Sequence, residues 1–309
     1  MNKNSYESGP HILARYSKTA RLAGLLKKKL ACALLAGLLI PSHSFAAAIL
    51  TVDEGGRLQG GGWTNLFQTT FGDTLTIINS WAAAPTDMSA FDIVWDGGFS
   101  SNPGAVVAQN VVNFVNQGGG FYGQTERPCC DTHNNWVEGI FQTLTGDLAM
   151  QFGGAGDSPS GATGTFLTPD TTILLDPNDI RGTTFDISAP GQLAVSDPSK
   201  VFAAQVDSDG FNIGVAYATQ DLVNNAGRIV TISDIDWLTG ISAAEANALE
   251  NIRSFLLAGE SLPSGCGANP DLPECQQGGG GSVPEPSTLL LLCAGLLTFR
   301  WCRKQNRAA

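Results

Sequence analysis

Apolar segments of two kinds alternate along the first half of the chain, and this alternation leaves few folds open to it. Four apolar runs have the length and the flanking polar residues or glycines of buried strands: 48–53, 74–79, 91–95 and 121–122. Three further segments have apolar residues at helical spacing: 63–71, 105–117 and 136–144. Strands that alternate with helices predict a parallel sheet that is covered by helices on both faces.

Residues 146–210 interrupt this alternation. They are rich in Gly, Ser, Thr, Asp and Pro, and two short runs within them, 172–175 and 201–206, are β-like. We interpret them as an insertion of hairpins and loops. The alternation returns with two strands and an amphipathic helix: 212–217, 228–233 and 245–257. The sequence therefore predicts an α/β fold with a doubly wound, mainly parallel, flavodoxin-like sheet and a β- and loop-rich insertion.

Four short segments carry a resemblance to a known fold. They are Phe-Asp-Ile-Val-Trp at 91–95, the triple glycine 118–120 that ends a helix, Phe-Tyr-Gly at 121–123, and Gly-Arg-Ile-Val-Thr-Ile-Ser-Asp at 227–234. In this order they resemble the class I glutamine amidotransferase-like fold, in its ThuA-like and related branches. The resemblance implies a fold and not an activity, because one fold hosts many functions.

The residues that would carry glutaminase activity in such a fold are missing. The resemblance implies a cysteine two residues past a glycine on the turn after the fourth strand, and counting from Gly123 places Thr125 there. It also implies a His and a Glu after a late strand, where this chain has Asp234 and Asp236 without a histidine. A threonine without a neighbouring base is a poor nucleophile. We therefore expect no glutaminase triad, and this favours a protein that is not an enzyme.

A cluster of chemically active side chains nevertheless follows the fourth strand. Glu126, Cys129, Cys130, Asp131 and His133 fall within eight residues, where doubly wound sheets bind their ligands. One hypothesis is a hydrolase with Glu126 or His133 as general base, or with Cys129 as nucleophile. The other, which we favour, is a loop locked by a disulfide whose polar residues are in solvent.

The cysteines outside the two chain ends are candidates for disulfides, because an even number in an oxidising compartment is typical of cross-linked proteins. Cys266 and Cys275 bracket a turn-rich loop that could close on itself. Cys129 and Cys130 are adjacent and would form a vicinal disulfide or pair elsewhere. A zinc site is not predicted, because only His133 is near them and no second cysteine pair has metal-ligand spacing.

Calcium is the single cofactor that the sequence suggests. Asp207-Ser208-Asp209-Gly210 could bend around Ca²⁺ with Asp207 and Asp209 as ligands. The twelve-residue calcium loop is incomplete, since it lacks its final Glu, and a β-turn between strands is the favoured interpretation. Five acidic residues at strand ends could instead ring a cation or a sugar: Asp53, Glu54, Asp96, Asp234 and Asp236.

The last part of the chain has three features in a fixed order. The polar motif Val283, Pro284, Glu285 and Pro286 is followed by an apolar segment, 287–299, and by basic residues from Arg300 onward. This order resembles the PEP-CTERM sorting tail of Gram-negative bacterial surface proteins. The resemblance implies recognition by a membrane-embedded exosortase and cleavage near the motif. The apolar segment predicts a C-terminal transmembrane helix of roughly 20 Å with its basic end in the cytoplasm, and an ordinary membrane anchor is the alternative.

The beginning of the chain indicates export. Three lysines, 27–29, precede the apolar run 30–40, and small residues stand at −3 and −1 of a cleavage after Ala46 or after Ala48. This pattern predicts a secretory signal, with the Sec translocon and signal peptidase as partners. The predicted organisation has four parts: an extension and signal peptide 1–48, an α/β domain 49–262, a Cys-bracketed loop and Gly-rich linker 263–282, and a sorting signal 283–309.

The charge of the exported part limits its partners. Six basic and 26 acidic residues lie between Ala47 and Ser282, which gives this part a net charge of −20. Such a surface repels nucleic acid and anionic lipid. We expect a protein of the cell surface or extracellular space, first anchored in the inner membrane, with a binding or structural role at the envelope or in exopolysaccharide. The alternative is a secreted hydrolase that acts on envelope or extracellular carbohydrate.

Overall fold

The computed structural model describes residues 46–157, 162–206 and 210–258. None of the helices in these ranges has the length and apolar character needed to cross a membrane. Several predicted features lie outside the described residues: the signal segment up to residue 45, the sorting motif with its transmembrane segment, Cys266, Cys275, Asp207 and Asp209.

Two sheets organise the described part of the chain. The strands are β1 (Ala48–Val52), β2 (Thr74–Ile78), β3 (Ile93–Asp96), β4 (Gly120–Tyr122), β5 (Gln151–Asp157), β6 (Thr163–Phe166), β7 (Thr184–Asp186), β8 (Gly191–Ala194), β9 (Val201–Gln205), β10 (Asn212–Tyr217) and β11 (Arg228–Ile232). Nine of them form one sheet in the order β2-β1-β3-β4-β11-β10-β9-β6-β7, and β5 pairs with β8.

The large sheet is mixed. Strands β2, β1, β3, β4 and β11 are parallel, as the alternating pattern predicts. Strands β10, β9, β6 and β7 extend the same sheet by antiparallel pairing. The predicted insertion therefore does not form a separate set of hairpins: three of its strands continue the main sheet, and the β5–β8 pair lies apart from it.

Six helical segments connect and cover these strands. They are α1 (Arg57–Gly60), α2 (Trp63–Asn65, continued by the π-helix Leu66–Thr70), α3 (Ala105–Asn116), α4 (Asp131–Thr145), α5 (Thr172–Leu175) and α6 (Ala243–Leu257). The segment 172–175, which the sequence suggests to be β-like, is helical. Its residues Ile173 and Leu174 are buried, and Asn251 of α6 donates to the Ile173 carbonyl, so packing against α6 decides its conformation.

Helices cover both faces of the sheet, as predicted. On one face, α3 and α4 bury apolar residues such as Val111 and Phe141. On the other face, α2 and α6 pack residues such as Trp63 and Leu249 against Trp95. The tryptophans of the described residues are all core residues: Trp63, Trp81, Trp95, Trp136 and Trp237.

The register of the parallel strands sets the place of the candidate site. Val52 pairs with Asp96, and Trp95 pairs with Tyr122, which in turn pairs with Val230. Strands β1, β3, β4 and β11 therefore end almost level at the same edge of the sheet. The residues that follow them lie together, at the position where ligands bind in open α/β sheets.

Candidate functional site

Buried polar side chains occupy the carboxyl edge of the parallel strands. Asp53 follows β1, Asp96 ends β3, Thr125 and Glu126 follow β4, and Asp234 follows β11. All five are at most 8% exposed. Because burial of a polar group is costly without a hydrogen bond, the partners of these side chains indicate what the edge can do.

The turn after β4 is closed by hydrogen bonds between buried groups. The side chain of Thr125, which stands where the resemblance implies a cysteine nucleophile, is fully buried and lies 3.0 Å from the hydroxyl of Thr231. Gln124, also fully buried, accepts from the Tyr122 hydroxyl at 3.0 Å and donates to the Ile232 carbonyl at 3.1 Å. These contacts join the turn to β11 and leave the Thr125 hydroxyl turned into the protein interior.

His133 is a fully buried residue of α4 and is held at both ring nitrogens. Its Nε2 lies 2.9 Å from Asp96 Oδ2, and its Nδ1 lies 2.7 Å from the Ser101 carbonyl oxygen. Asp96 also accepts from the Trp81 indole at 3.0 Å and from the backbone N–H of Gly98 at 2.9 Å. Since both neighbours of the imidazole are acceptors, His133 donates from both nitrogens and is charged.

The electrostatic surroundings of His133 agree with that protonation. Burial opposes the charged imidazole, but the Asp96 carboxylate, the Ser101 carbonyl and Glu54 together outweigh it and raise the pKa of His133 above 6.5. An imidazole that donates from both nitrogens has no lone pair with which to accept a proton. In this geometry His133 ties β3 to α4 and is not placed as a general base.

The pKa of Glu126 is brought near neutrality. Burial, then the charge of Asp234, raise its pKa to about 7, although the Ile235 N–H that donates to it at 2.5 Å favours the ionised form. Its backbone is held by Asn134, which accepts from the Glu126 N–H at 2.8 Å and donates to the Glu126 carbonyl at 2.8 Å. A carboxyl with such a pKa is suited to proton transfer.

Asp234 accepts hydrogen bonds from backbone N–H groups, two of which belong to the insertion. Its Oδ2 accepts from Ser188 at 2.6 Å and from Ala189 at 2.9 Å, and its Oδ1 accepts from Asp236 at 2.8 Å. Burial raises the pKa of Asp234, which these hydrogen bonds counteract. Asp234 therefore fixes the insertion above β11, beside Glu126.

The remaining acidic residues that were expected to ring a cation or a sugar are also committed to protein groups. Asp53 accepts from the backbone of Leu58 and Gln59, while Glu54 accepts from that of Phe99 and Ser100. Asp236 pairs with Arg57, which lies over the Phe99 ring. Within 46–157, 162–206 and 210–258, no three His, Cys, Asp or Glu side chains are grouped to hold a metal ion.

The β5–β8 pair covers the turn at Glu126 by close backbone contact. A Cβ atom on Gly191 would lie 2.5 Å from the Glu126 carbonyl oxygen, 2.7 Å from the Gly153 Cα and 2.9 Å from the Arg127 Cα. A side chain at Gly153 would meet the same carbonyl oxygen at 2.4 Å. The insertion thus packs directly on the turn, and this contact keeps Glu126 from solvent.

We expect Gly191→Ala to destabilise the domain by about 1–3 kcal/mol, because the methyl group would overlap three backbone atoms that cannot rotate away. Urea unfolding followed by tryptophan fluorescence measures the change. Gly139→Ala is the matched control, since nothing lies within 4 Å of its Cβ position and alanine favours the helix α4. Equal stabilities of the two variants would contradict the close contact.

The adjacent cysteines lie in the loop before α4, where the sequence suggests a disulfide. Cys129 and Cys130 are described as free thiols with their Sγ atoms 3.0 Å apart, and not as a disulfide. The polar residues near them are not in solvent either, since Glu126 is 8% and His133 0% exposed. The short helical turn Pro128–Cys130 leads directly into α4, so both cysteines lie at the start of that helix.

The two thiols should differ in reactivity, because the thiolate is the nucleophile. Burial, then the hydrogen bond and the charge of Cys129, raise the pKa of Cys130 to about 12, whereas Cys129 is exposed. We expect iodoacetamide at pH 8 to label Cys129 at least tenfold faster than Cys130 in the reduced protein. Peptide mass spectrometry measures both rates, the urea-unfolded protein serves as control, and faster labelling of Cys130 would refute the assignment.

Sequence reasoning missed two residues that shape this edge. Asn134, fully buried, bonds both backbone groups of Glu126, and Trp81 holds Asp96. The signal for Asn134 is its position, since an amide in the first turn of the helix after β4 can reach back to the turn that precedes the helix.

Comparisons with known proteins address the fold and the end of the chain. Residues 282–304 match the family model described as the PEP-CTERM protein-sorting motif. No curated protein matches the chain. The mmIFT52 N-terminal domain aligns with a TM-score of 0.51 at 10% identity, over 69% of this chain and 98% of that domain.

Two further solved structures align over similar lengths. A ThuA-like protein from Bacteroides uniformis is 13% identical with a TM-score of 0.45, over 69% of this chain and 91% of its own. A glutamine amidotransferase from Thermotoga maritima is 9% identical with a TM-score of 0.44, over 69% of this chain and 99% of its own. These likenesses concern the fold.

The sorting motif has consequences for the whole protein. It implies an exosortase as processing partner, and it indicates an exported, membrane-anchored precursor that is sorted to the cell surface. The chain thus carries a PEP-CTERM protein-sorting motif behind an α/β domain whose structural neighbours include ThuA-like proteins and glutamine amidotransferase-like folds.

Proposed function

We propose that the α/β domain is a non-catalytic binding or structural module that is delivered to the envelope or the extracellular polymer of a Gram-negative bacterium. The observation that carries this proposal is the closed turn after β4. Thr125 takes the place of a nucleophile, but it is fully buried and bonded to Thr231. A nucleophile must reach its substrate, and this hydroxyl has no path to one in the described geometry.

The engagement of His133 supports the same proposal. One ring nitrogen lies against Asp96 and the other against the Ser101 carbonyl. His133, the described histidine nearest to the turn, therefore joins β3, the loop that follows it and α4. Residues that hold a fold together in this way are typical of a scaffold. Binding would then take place on the outer surface of the domain.

The charge of the exported part indicates the class of ligand. At −20 between residues 47 and 282, it repels anionic polymers at moderate ionic strength. An uncharged extracellular polysaccharide is the ligand class that such a surface tolerates. This choice also agrees with sorting to the cell surface, where such polymers lie.

A secreted hydrolase is the second candidate, and one observation favours it. Burial and the neighbouring charge of Asp234 raise the pKa of Glu126 to about 7, and a carboxyl group with a pKa near neutrality is typical of acid–base catalysis. In this alternative Glu126 would act as the general acid or base, and a conformational opening of the β5–β8 pair would admit the substrate. In a different version of this hydrolase, the exposed Cys129 would be the nucleophile.

Cosedimentation of the processed, exported protein with extracellular polysaccharide from the producing cells tests the proposal. We expect retention at 150 mM salt, no release of reducing ends or acyl groups, and equal retention of Glu126→Gln. Turnover by the wild type that Glu126→Gln abolishes, while Glu250→Gln preserves it, would establish the hydrolase instead. Absence of both retention and turnover would refute the proposed binding function.

A further inference from the structure

The first described residues of the domain lie beside a buried ion pair. The backbone N of Ala47 lies 2.8 Å from Asp73 Oδ1, and Ala47 is 3% exposed. Arg253 holds the same carboxylate through Nε, at 2.7 Å from Oδ2, and through Nη2, at 2.5 Å from Oδ1. Ala46, one residue earlier, is exposed. The backbone therefore passes from solvent to a buried carboxylate between Ala46 and Ala47.

Ala48 is the first residue of β1, and both Ala47 and Ala48 accept hydrogen bonds from neighbouring segments. The Thr74 N–H donates to the Ala47 carbonyl at 2.8 Å, and the Asp92 N–H donates to the Ala48 carbonyl at 2.8 Å. The Ala48 N–H in turn donates to Asp92 Oδ2 at 2.8 Å. Removal of these two residues would leave the Thr74 and Asp92 N–H groups without these acceptors and Asp73 without one of its donors.

The sequence pattern alone permits two cleavage points. Ser44 and Ala46 satisfy the small-residue requirement for a cut after Ala46, and Ala46 and Ala48 satisfy it for a cut after Ala48. The contacts of β1 distinguish the two, because only the first cut leaves the strand whole. We propose that the signal segment is cleaved between Ala46 and Ala47, and that Asp73 is the binding site for the α-amino group that this cleavage creates.

The chemistry of the cleavage fits that site. Hydrolysis of the Ala46–Ala47 amide by a signal peptidase adds the hydroxyl of water to the Ala46 carbonyl carbon, and the protons go to the Ala47 nitrogen. The single N–H donor of the uncut chain becomes an ammonium group with three donors and a positive charge. At 2.8 Å from the Asp73 carboxylate, this charge gains a partner, since the positive ammonium and the negative carboxylate attract each other where the uncut chain has only a neutral N–H.

Asp73 can serve two cations although both bind Oδ1, because each carboxylate oxygen can accept more than one hydrogen bond. Arg253 uses both Oδ1 and Oδ2, while Ala47 approaches Oδ1 alone. An α-amino group ordinarily has a pKa of about 7.7–8, so a neighbouring carboxylate keeps it charged at neutral pH. Processing would thereby replace a neutral contact at the start of β1 by an ion pair, and lock the new chain end into the sheet.

Mass spectrometry of the exported protein tests the cleavage point, and it requires no variant. The full chain is produced in its cell, the processed protein is purified, and its N-terminal peptide is sequenced. A first residue of Ala47 is the expected result. A first residue of Ile49, or any other, would overturn the proposal while leaving export intact. An uncut chain retained in the cell would overturn both this proposal and the export on which it rests.

The role of Asp73 has its own test. We expect reductive methylation of the α-amino group at pH 7.5 to be at least tenfold faster in processed Asp73→Asn than in the wild type. Asp92→Asn is the matched control, because Asp92 binds the next residue, Ala48, and its variant should label at the wild-type rate. Equal labelling of all three proteins would overturn the proposed site. If Asp73→Asn does not fold, labelling of the native wild type as fast as of its urea-unfolded form would do so.

Discussion

Replacing Arg253 by methionine is expected to destabilise the domain by about 3–5 kcal/mol, the range for removal of one partner from a buried ion pair. Arg253 is 3% and Asp73 6% exposed, and the two side chains share two hydrogen bonds of 2.5 and 2.7 Å. In this variant the Asp73 carboxylate stays buried, and the donor that is still described for it is the backbone N–H of Ala47. Methionine retains most of the aliphatic stem, so the loss reports on charge and not on packing volume.

Chemical unfolding in urea measures this loss, and Arg181→Met provides the control. Arg181 also pairs with two carboxylates, Asp170 and Asp179, but these side chains are largely exposed, so we expect a much smaller loss than for Arg253→Met. The double variant Arg253→Met with Asp73→Leu should recover part of the loss, because an apolar pair requires no desolvation of charge. A single-variant loss below 1 kcal/mol would contradict the buried ion pair.

The sequence predicted the parallel part of the fold well because its signals are local. Strands β1 to β4 are short apolar runs flanked by polar residues or glycines, and the helix α3 stops before the triple glycine 118–120. The segment 172–175 was misread because four apolar or β-branched residues fit either a strand or one helical turn. Its conformation follows from contact with α6, which lies more than 70 residues later and leaves no local trace.

The sequence predicted the position of the candidate site but not the burial of its residues. The position of Glu126 and His133 at the carboxyl ends of the strands followed from topology. Their burial did not, because it depends on partners far along the chain: Asp96 for His133, and Ile235 with the β5–β8 pair for Glu126. The ion pair of Asp73 and Arg253 spans 180 residues, and nothing in a single sequence connects the two.

Glu126→Gln is expected to stabilise the domain at pH 8 by roughly 3 kcal/mol and to change its stability little at pH 4. The pKa of Glu126 is about 7 in the folded protein against 4.5 for the ordinary side chain. Below pH 4.5 the carboxyl is protonated in both states. Between pH 4.5 and 7 the unfolded chain ionises first, so stability falls as pH rises, by about 1.4 kcal/mol for each unit of difference in pKa. Above pH 7 the loss is complete.

Glutamine removes this loss because its amide stays neutral at every pH and still offers an oxygen to the Ile235 N–H. Urea unfolding from pH 4 to pH 9 gives the difference between variant and wild type, in which other titrating groups such as His133 largely cancel. Glu54→Gln should show the opposite sign, because burial raises its pKa but the N–H groups of Phe99 and Ser100 lower it further, so its charge stabilises the folded state above pH 4.5. A pH-independent difference for Glu126→Gln would mean that Glu126 is ionised in the folded domain, which would remove the main support for an acid–base role at this edge.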